Sequence, residues 1–381
     1  MDTLQKLQLL GPAAAYEPAE EVSPLGEKAS GLPTPGELAE CISHATLPGG
    51  RRVPMLKTLV SSACERDCHY CPFRAGRDFR RATFTPDELA NFTMQIYRQG
   101  LVQGVFLSSA ILGGGPRTQD RIIATAEILR RKYHFPGYLH LKVMPGAERD
   151  QIVATMQYAD RVSLNLEAPN ARRLADLAPH KQFADELLQR LRWIHELRQA
   201  LPARKPSLTT QFVVGAVGES DVEILMTSAY LYRDLGLART YFSGFDPVSD
   251  TPLEHNPPIR LHREQRLYQA SFLLRDYGFD VEELPFRPDG NLPLYEDPKI
   301  AWANLHLSQA PIELNTAERE LLLRIPGIGP TSAERILRAR RQGTLRFLSD
   351  LGKLGIATQR AAPYILLDGR RSPRQLTFWT G

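Results

Sequence analysis

The chain has 381 residues, 43% of them apolar, and a formal net charge of +4. That length and apolar share can fill a sizeable core, which excludes a wholly disordered chain and suits one large domain with a smaller companion. Four cysteines, three of them bunched, are the wrong supply for a disulfide framework, and no run of about 18 apolar residues could span a bilayer, so neither class is expected.

Residues 1–50 are rich in Pro, Gly, Ala and Glu and read as a loosely structured N-terminal extension, with one short amphipathic stretch at 4–10. The opening "MDTLQKLQLLGPAAAYEP" has no basic segment leading into an apolar run, so a cytoplasmic location is expected. From Arg51 onward short apolar runs alternate with segments of helical period. Six strands are predicted, at 54–61, 104–112, 137–144, 160–168, 207–215 and 239–245. Helices are predicted at 86–99, 120–132, 148–157, 183–199, 220–234 and 263–276. The first is the clearest, with Thr85 as cap, Pro86 at the first helical position and Glu88 three residues after the cap. Strict alternation implies a parallel sheet, either doubly wound or part of a β/α barrel, and periodicity does not choose between them. In both, the ligand site lies at the carboxyl ends of the strands. Beyond a Pro-rich connection the chain turns basic: from Thr316 to Gly381 twelve Arg or Lys face five Asp or Glu, a net +7 that leaves the rest at −3. A polyanion is the partner such a module suits, the alternative being an arginine-rich tail that is merely solvated.

The segment "CERDCHYC" places Cys64, Cys68 and Cys71 on the loop after the first strand, where chemistry is expected. C-x3-C-x2-C presents three sulfurs to one side of a compact object. An iron-sulfur cubane has four iron corners, so three cysteines leave one iron open for a ligand. The competing reading is a zinc site completed by His69 or Cys41. Adjacent Cys68 and His69 would strain one tetrahedron, and zinc ligands usually come in two separated pairs.

With Tyr70 before the third cysteine, this loop resembles the C-x3-C-x-aromatic-C loop of the radical S-adenosylmethionine superfamily. The resemblance implies a partial (β/α)6 barrel over residues 51–310, with a 4Fe-4S cluster on Cys64, Cys68 and Cys71 whose open iron chelates S-adenosylmethionine. It also implies cofactor-binding positions on later strands. The second strand ends "LSSAILGGGP", offering either Ser108 and Ser109 or Gly113–Gly115; the serines, at the strand end itself, are preferred. Asn165 and Glu167 share one strand face by period two and suit ribose hydroxyls, although a buried structural pair is the plainer alternative. Gly215 in "FVVGAVGES" resembles the element that approaches adenine. Arg74, Arg77, Arg80 and Arg81, just after the cluster loop, are candidates for clamping phosphates or for a solvated loop.

In residues 311–381, "LLRIPGIGPTSAERILRAR" has the form of a helix-hairpin-helix, with the turn at Gly327, Ile328 and Gly329 and with Arg335 and Arg338 on the following helix. Backbone amides at that helix start suit a phosphate. A second, eroded hairpin follows at Gly355, Ile356 and Ala357. A small all-α nucleic-acid-binding domain is expected, or alternatively a protein-packing domain.

The joint order of cysteine loop, partial barrel and hairpin tail resembles the DNA modification or repair radical S-adenosylmethionine proteins associated in bacteria with a uracil-DNA-glycosylase-like partner. The resemblance implies an enzyme that acts on DNA, needs an electron donor and works away from membranes. RNA modification, and a non-catalytic iron-sulfur DNA-binding subunit, are the competing functions.

Overall fold

The computed structural model describes residues 1–13, 41–46, 52–201 and 205–371. Most of the expected extension therefore lies outside the described residues. The chain divides into two compact units, Met1–Glu219 with Tyr230–Arg260, and Ser220–Ala229 with Leu261–Gly381.

The first unit runs α1 (Thr3–Ala13), β1 (Ile42–Thr46), β2 (Arg52–Leu59), α2 (Pro86–Arg98), β3 (Gly104–Ser108), α3 (Gly115–Glu127), β4 (Tyr138–Lys142), α4 (Arg149–Tyr158), β5 (Arg161–Ser163), α5 (Ala171–Leu177), α6 (Gln189–Ala200), β6 (Ser207–Val214), α7 (Asp221–Leu235) and β7 (Arg239–Gly244). The first turns of α7 are counted with the second unit. β2 to β7 are parallel, and the sheet order is simply β1 to β7. An order that never reverses, with right-handed crossovers, puts every helix on one face and curls the sheet into a half-barrel. A doubly wound sheet would reverse, so the strand order decides what periodicity left open.

Local chemistry explains several boundaries. Thr85 and Glu88 form the reciprocal capping box that opens α2. α3 starts five residues before the expected 120. There Gly115 passes so close to β4's exit that a Cβ would lie 2.0 Å from the Pro145 carbonyl oxygen. Residues 128–132 and 183–188 are π-helical turns.

β1 was not anticipated. It pairs antiparallel with β2 and closes that sheet edge, and its Ala45 joins Met55 and Phe106 in a buried cluster. α1 buries Leu7 and Leu10, so parts of the extension are ordered. Among the described residues no helix is long and apolar enough to cross a membrane.

The second unit contains α8 (Arg263–Asp276), α9 (Pro298–His306), β8 (Ile312–Glu313), α10 (Arg319–Arg324), α11 (Pro330–Ala339), α12 (Leu348–Lys353), α13 (Thr358–Ala361), β9 (Ile365–Leu367) and β10 (Arg370–Arg371). Its core includes Leu322, Leu323, Ile325, Ile328, Ala333 and Ile336 from the first hairpin and Leu351, Ile356 and Ala361 from the second. The two hairpins thus share one core. A small three-stranded sheet, in the order β10-β9-β8, accompanies these helices, where an all-α module was expected.

Candidate functional site

The loop after β2 carries Cys64, Cys68 and Cys71, all with free thiols, and the three line one cavity at the carboxyl ends of the strands. Tyr70, Ser108, Ser109, Asn165 and Glu167 line the same cavity, joined by Lys142 and Gln211. Gly215 does not line it. Its backbone is left-handed (φ +96°), and its amide, like that of Val217, donates to the buried Glu219 carboxylate.

The cysteine loop is held by its own arginines. Arg81 donates to the carbonyls of Ser62, Phe73, Arg74 and Arg77 at 3.0–3.2 Å. Arg77 bonds the Pro72 carbonyl and Arg74 that of Asp67. Of the four arginines considered as phosphate clamps, these three are committed to backbone oxygens, and Arg80 alone is exposed without such a bond among the described residues. Arg66 ties the loop to the turn after α5, through the His180 carbonyl at 2.6 Å and the Glu186 carboxylate at 2.7 Å.

The glycines of "LGGGP" have a different task from the one weighed in the sequence. Gly113 and Gly114 adopt φ +74° and +90°, and both amides donate to the Glu65 carboxylate at 3.0 Å. An L side chain is strained at such angles. The turn therefore anchors the residue beside Cys64.

Donor chemistry fits an iron-sulfur cluster. The Cys64 and Cys71 sulfurs accept backbone N–H groups of Arg66 and Phe73, each at 3.4 Å, the kind of contact that tunes a cluster. Burial pushes the Cys68 and Cys71 thiols up, so proton loss there has to be coupled to ligation. Among the described residues no three His, Cys, Asp or Glu side chains converge on a point fit for a single metal ion. A cubane asks for something else: each thiolate meets its own iron. The two groups offered for zinc stand elsewhere. Cys41 is buried against α1, near Gly11 and the Leu7 carbonyl, and His69 bonds the Asp176 carbonyl at the end of α5.

Asn165 and Glu167 lie just past β5, where the strand gives way to irregular backbone and Glu167 takes φ +66°, an unusual angle for a residue with a side chain. Lys142 bonds the Asn165 carboxamide oxygen. Lys181, which sequence reasoning did not single out, donates to Glu167 Oε1 at 2.9 Å with both side chains buried, and it lines the cavity. Burial opposes the Lys181 charge, but Cys68 and Glu167 beside it outweigh that cost and hold its pKa above the ordinary lysine value. Glu167 Oε2 is buried with no partner among the described residues, an acceptor in the wall of the cavity.

In the second unit the Ile328 side chain is buried, so that hairpin offers a ligand only its backbone. Gly327 lies against the Ala357 carbonyl and Gly329 against the Tyr277 hydroxyl, where a Cβ would sit at 2.9 and 3.1 Å. The amides of Gly327, Gly329, Thr331 and Ser332 bond no group among the described residues. Arg335 donates to the Leu354 carbonyl and links the two hairpins, whereas Arg338 projects to solvent. Lys299 bonds the Ile328 carbonyl from beneath at 2.6 Å.

Two family models match parts of the chain. Residues 58–231 match the radical SAM superfamily, and residues 308–354 match the helix-hairpin-helix motif. No curated protein matches the chain. Among solved structures it is similar to the [FeFe]-hydrogenase maturase HydG (13% identity, TM-score 0.45, covering 58% of this chain and 49% of that one) and to methylornithine synthase PylB (15%, 0.47, 58% and 61%). It is also similar to a radical SAM methyltransferase from Sphaerobacter thermophilus (15%, 0.43, 61% and 70%). The chain thus spans about half the length of HydG and about three fifths of PylB. Over residues 58–231 it carries a domain of the radical SAM superfamily, a family whose cofactors are a 4Fe-4S cluster and S-adenosylmethionine, together with a helix-hairpin-helix motif.

Proposed function

We propose that the chain is a radical SAM enzyme of DNA modification or repair. The observation that carries this reading is the meeting of Cys64, Cys68 and Cys71 with Asn165 and Glu167 in one cavity at the carboxyl end of a parallel half-barrel. In this reading the three cysteines hold the cluster. Tyr70, Ser108, Ser109, Asn165 and Glu167 position S-adenosylmethionine, with the vacant Glu167 oxygen accepting from a hydroxyl. Lys181 holds Glu167 aimed. Gly215 acts from outside the cavity, through the turn that Glu219 fixes.

Held by these residues and reduced by an electron donor, cluster and S-adenosylmethionine would supply the hydrogen-abstracting, 5′-deoxyadenosyl radical chemistry of this family. The chain's own contribution is to hold, orient and shield. Nucleic acid as substrate is supported by the hairpins: Gly327, Ile328 and Gly329 present backbone amides, and Arg335 and Arg338 add charge in the middle and the last turn of α11. Such contacts are backbone-directed and sequence-tolerant. A base would have to leave its stack to be reached, so damaged or single-stranded DNA is the favoured substrate. A uracil-DNA-glycosylase-like protein as partner, and a reducing, cytoplasmic setting, complete the reading.

The test is anaerobic. Reconstituted, reduced protein should release 5′-deoxyadenosine from S-adenosylmethionine, and deuterium from labelled DNA should enter it. Cys68→Ala should release none; equal yields from both proteins would refute the assignment.

A further inference from the structure

We propose that a cleft in the second unit, between the start of α12 and the β9–β10 hairpin, is a platform on which an unpaired base of a single-stranded nucleic-acid segment stacks. The inference rests on the nucleic-acid reading above and extends it to a second contact with its own preference.

The cleft measures about 530 Å³, ample for a nucleotide. One wall displays Phe347, 67% exposed despite its apolar ring. The ring stands on a rigid base: the Asp350 carboxylate accepts the amides of Arg346 and Phe347 at 3.1 and 3.0 Å and fixes the first turn of α12. The opposite wall is equally fixed. Asp368 and Gly369 form a two-residue turn with φ +53° and +73°, and the Glu313 carboxylate accepts both their amides. That turn sets Arg370 and Arg371 side by side at the cleft. Arg371 is steadied by the Ser308 and Gln309 carbonyls, each at 3.3 Å, and Arg370 is exposed.

Charge complementarity selects the occupant. Three arginines and one acid, Asp368, frame the ring, and the Arg346–Asp368 pair at 3.4 Å is more than half exposed on both sides, so a phosphate can compete for Arg346. A flat aromatic face flanked by guanidinium groups matches an unstacked base and its phosphate. In a duplex the base faces are covered by their neighbours, so the platform discriminates for single strands.

The experiment compares fluorescein-labelled oligothymidylate with a blunt duplex, on the full chain at fixed salt, for wild type, Phe347→Ala and Phe347→Trp. Phe347→Ala should weaken oligothymidylate binding about tenfold while leaving duplex affinity and thermal unfolding unchanged, and Phe347→Trp should retain binding. If Phe347→Ala binds oligothymidylate like wild type, or loses both ligands equally, the platform is refuted while the hairpin reading stands. The same holds if Phe347→Trp fails where wild type binds. If wild type binds neither ligand, the nucleic-acid reading falls and this inference with it.

Discussion

Lys181 donates to Glu167 across 2.9 Å in the wall of the cavity that also holds Cys68, and both side chains are more than nine-tenths buried. Such a pair is costly to break from one side, because the remaining charge stays behind without its partner. Lys181→Met should destabilise the first unit by about 3 kcal/mol or more. Lys181→Met combined with Glu167→Gln should recover much of that loss. Thermal melting of the three proteins checks this, and a double variant no more stable than the single one would show that the pair is not coupled.

Glu65 is bound by two amides of a left-handed glycine turn, and it adjoins Cys64. Its site is exposed, so Glu65→Ala should cost stability only modestly, about 1–2 kcal/mol. Its larger effect should fall on the cluster loop: iron should be lost to a chelator severalfold faster than from wild type.

Arg81 donates to four carbonyls, a task that needs a planar fork. Lysine has no such fork. Arg81→Lys should therefore expose the loop as much as Arg81→Met does, and limited proteolysis should cut both variants within residues 64–81 under conditions that spare wild type.

Lys299 is pulled down to about 7, chiefly by burial, with Arg360 and Arg324 adding to the effect and Asp297 opposing it. Below that value folded and unfolded chains both hold the proton. Between about pH 7 and the ordinary lysine value of 10.5, the unfolded chain binds more protons, so this residue makes stability rise with pH. The stability of wild type minus that of Lys299→Met should shift in favour of wild type from pH 7 to pH 10. A gap that stays constant would mean that the amine keeps its proton, aided by the Ile328 carbonyl and by the Tyr277 ring at 4.4 Å.

What the sequence revealed follows from the range of the forces involved. The strand and helix alternation of β2 to β7 is local, and so is the capping box at Thr85, so both were legible. The cysteine loop was legible because its spacing is itself the chemistry. β1 escaped because five residues, "ISHAT", form a strand only where β2 leaves an edge to cover. Lys181 escaped because its partner is chosen by the fold of the turn after α5, not by spacing. The glycines after β3 could be recognised as a turn, but nothing in the chain names Glu65 as their ligand. The β9–β10 hairpin is a different matter: Asp368–Gly369 between "ILL" and "RR" is a strong short-range signal that composition alone obscured.

The central claim is that three cysteines anchor a cluster and leave one iron open to S-adenosylmethionine. Iron-57 Mössbauer and electron paramagnetic resonance spectra of anaerobically reconstituted protein, with and without S-adenosylmethionine, test it most directly. The account predicts one 4Fe-4S cluster, about four irons per chain, with one iron site and the reduced signal altered by S-adenosylmethionine, and no cluster when Cys64, Cys68 and Cys71 are all replaced by Ala. Bound zinc, no iron, or a cluster whose spectra ignore S-adenosylmethionine would contradict it.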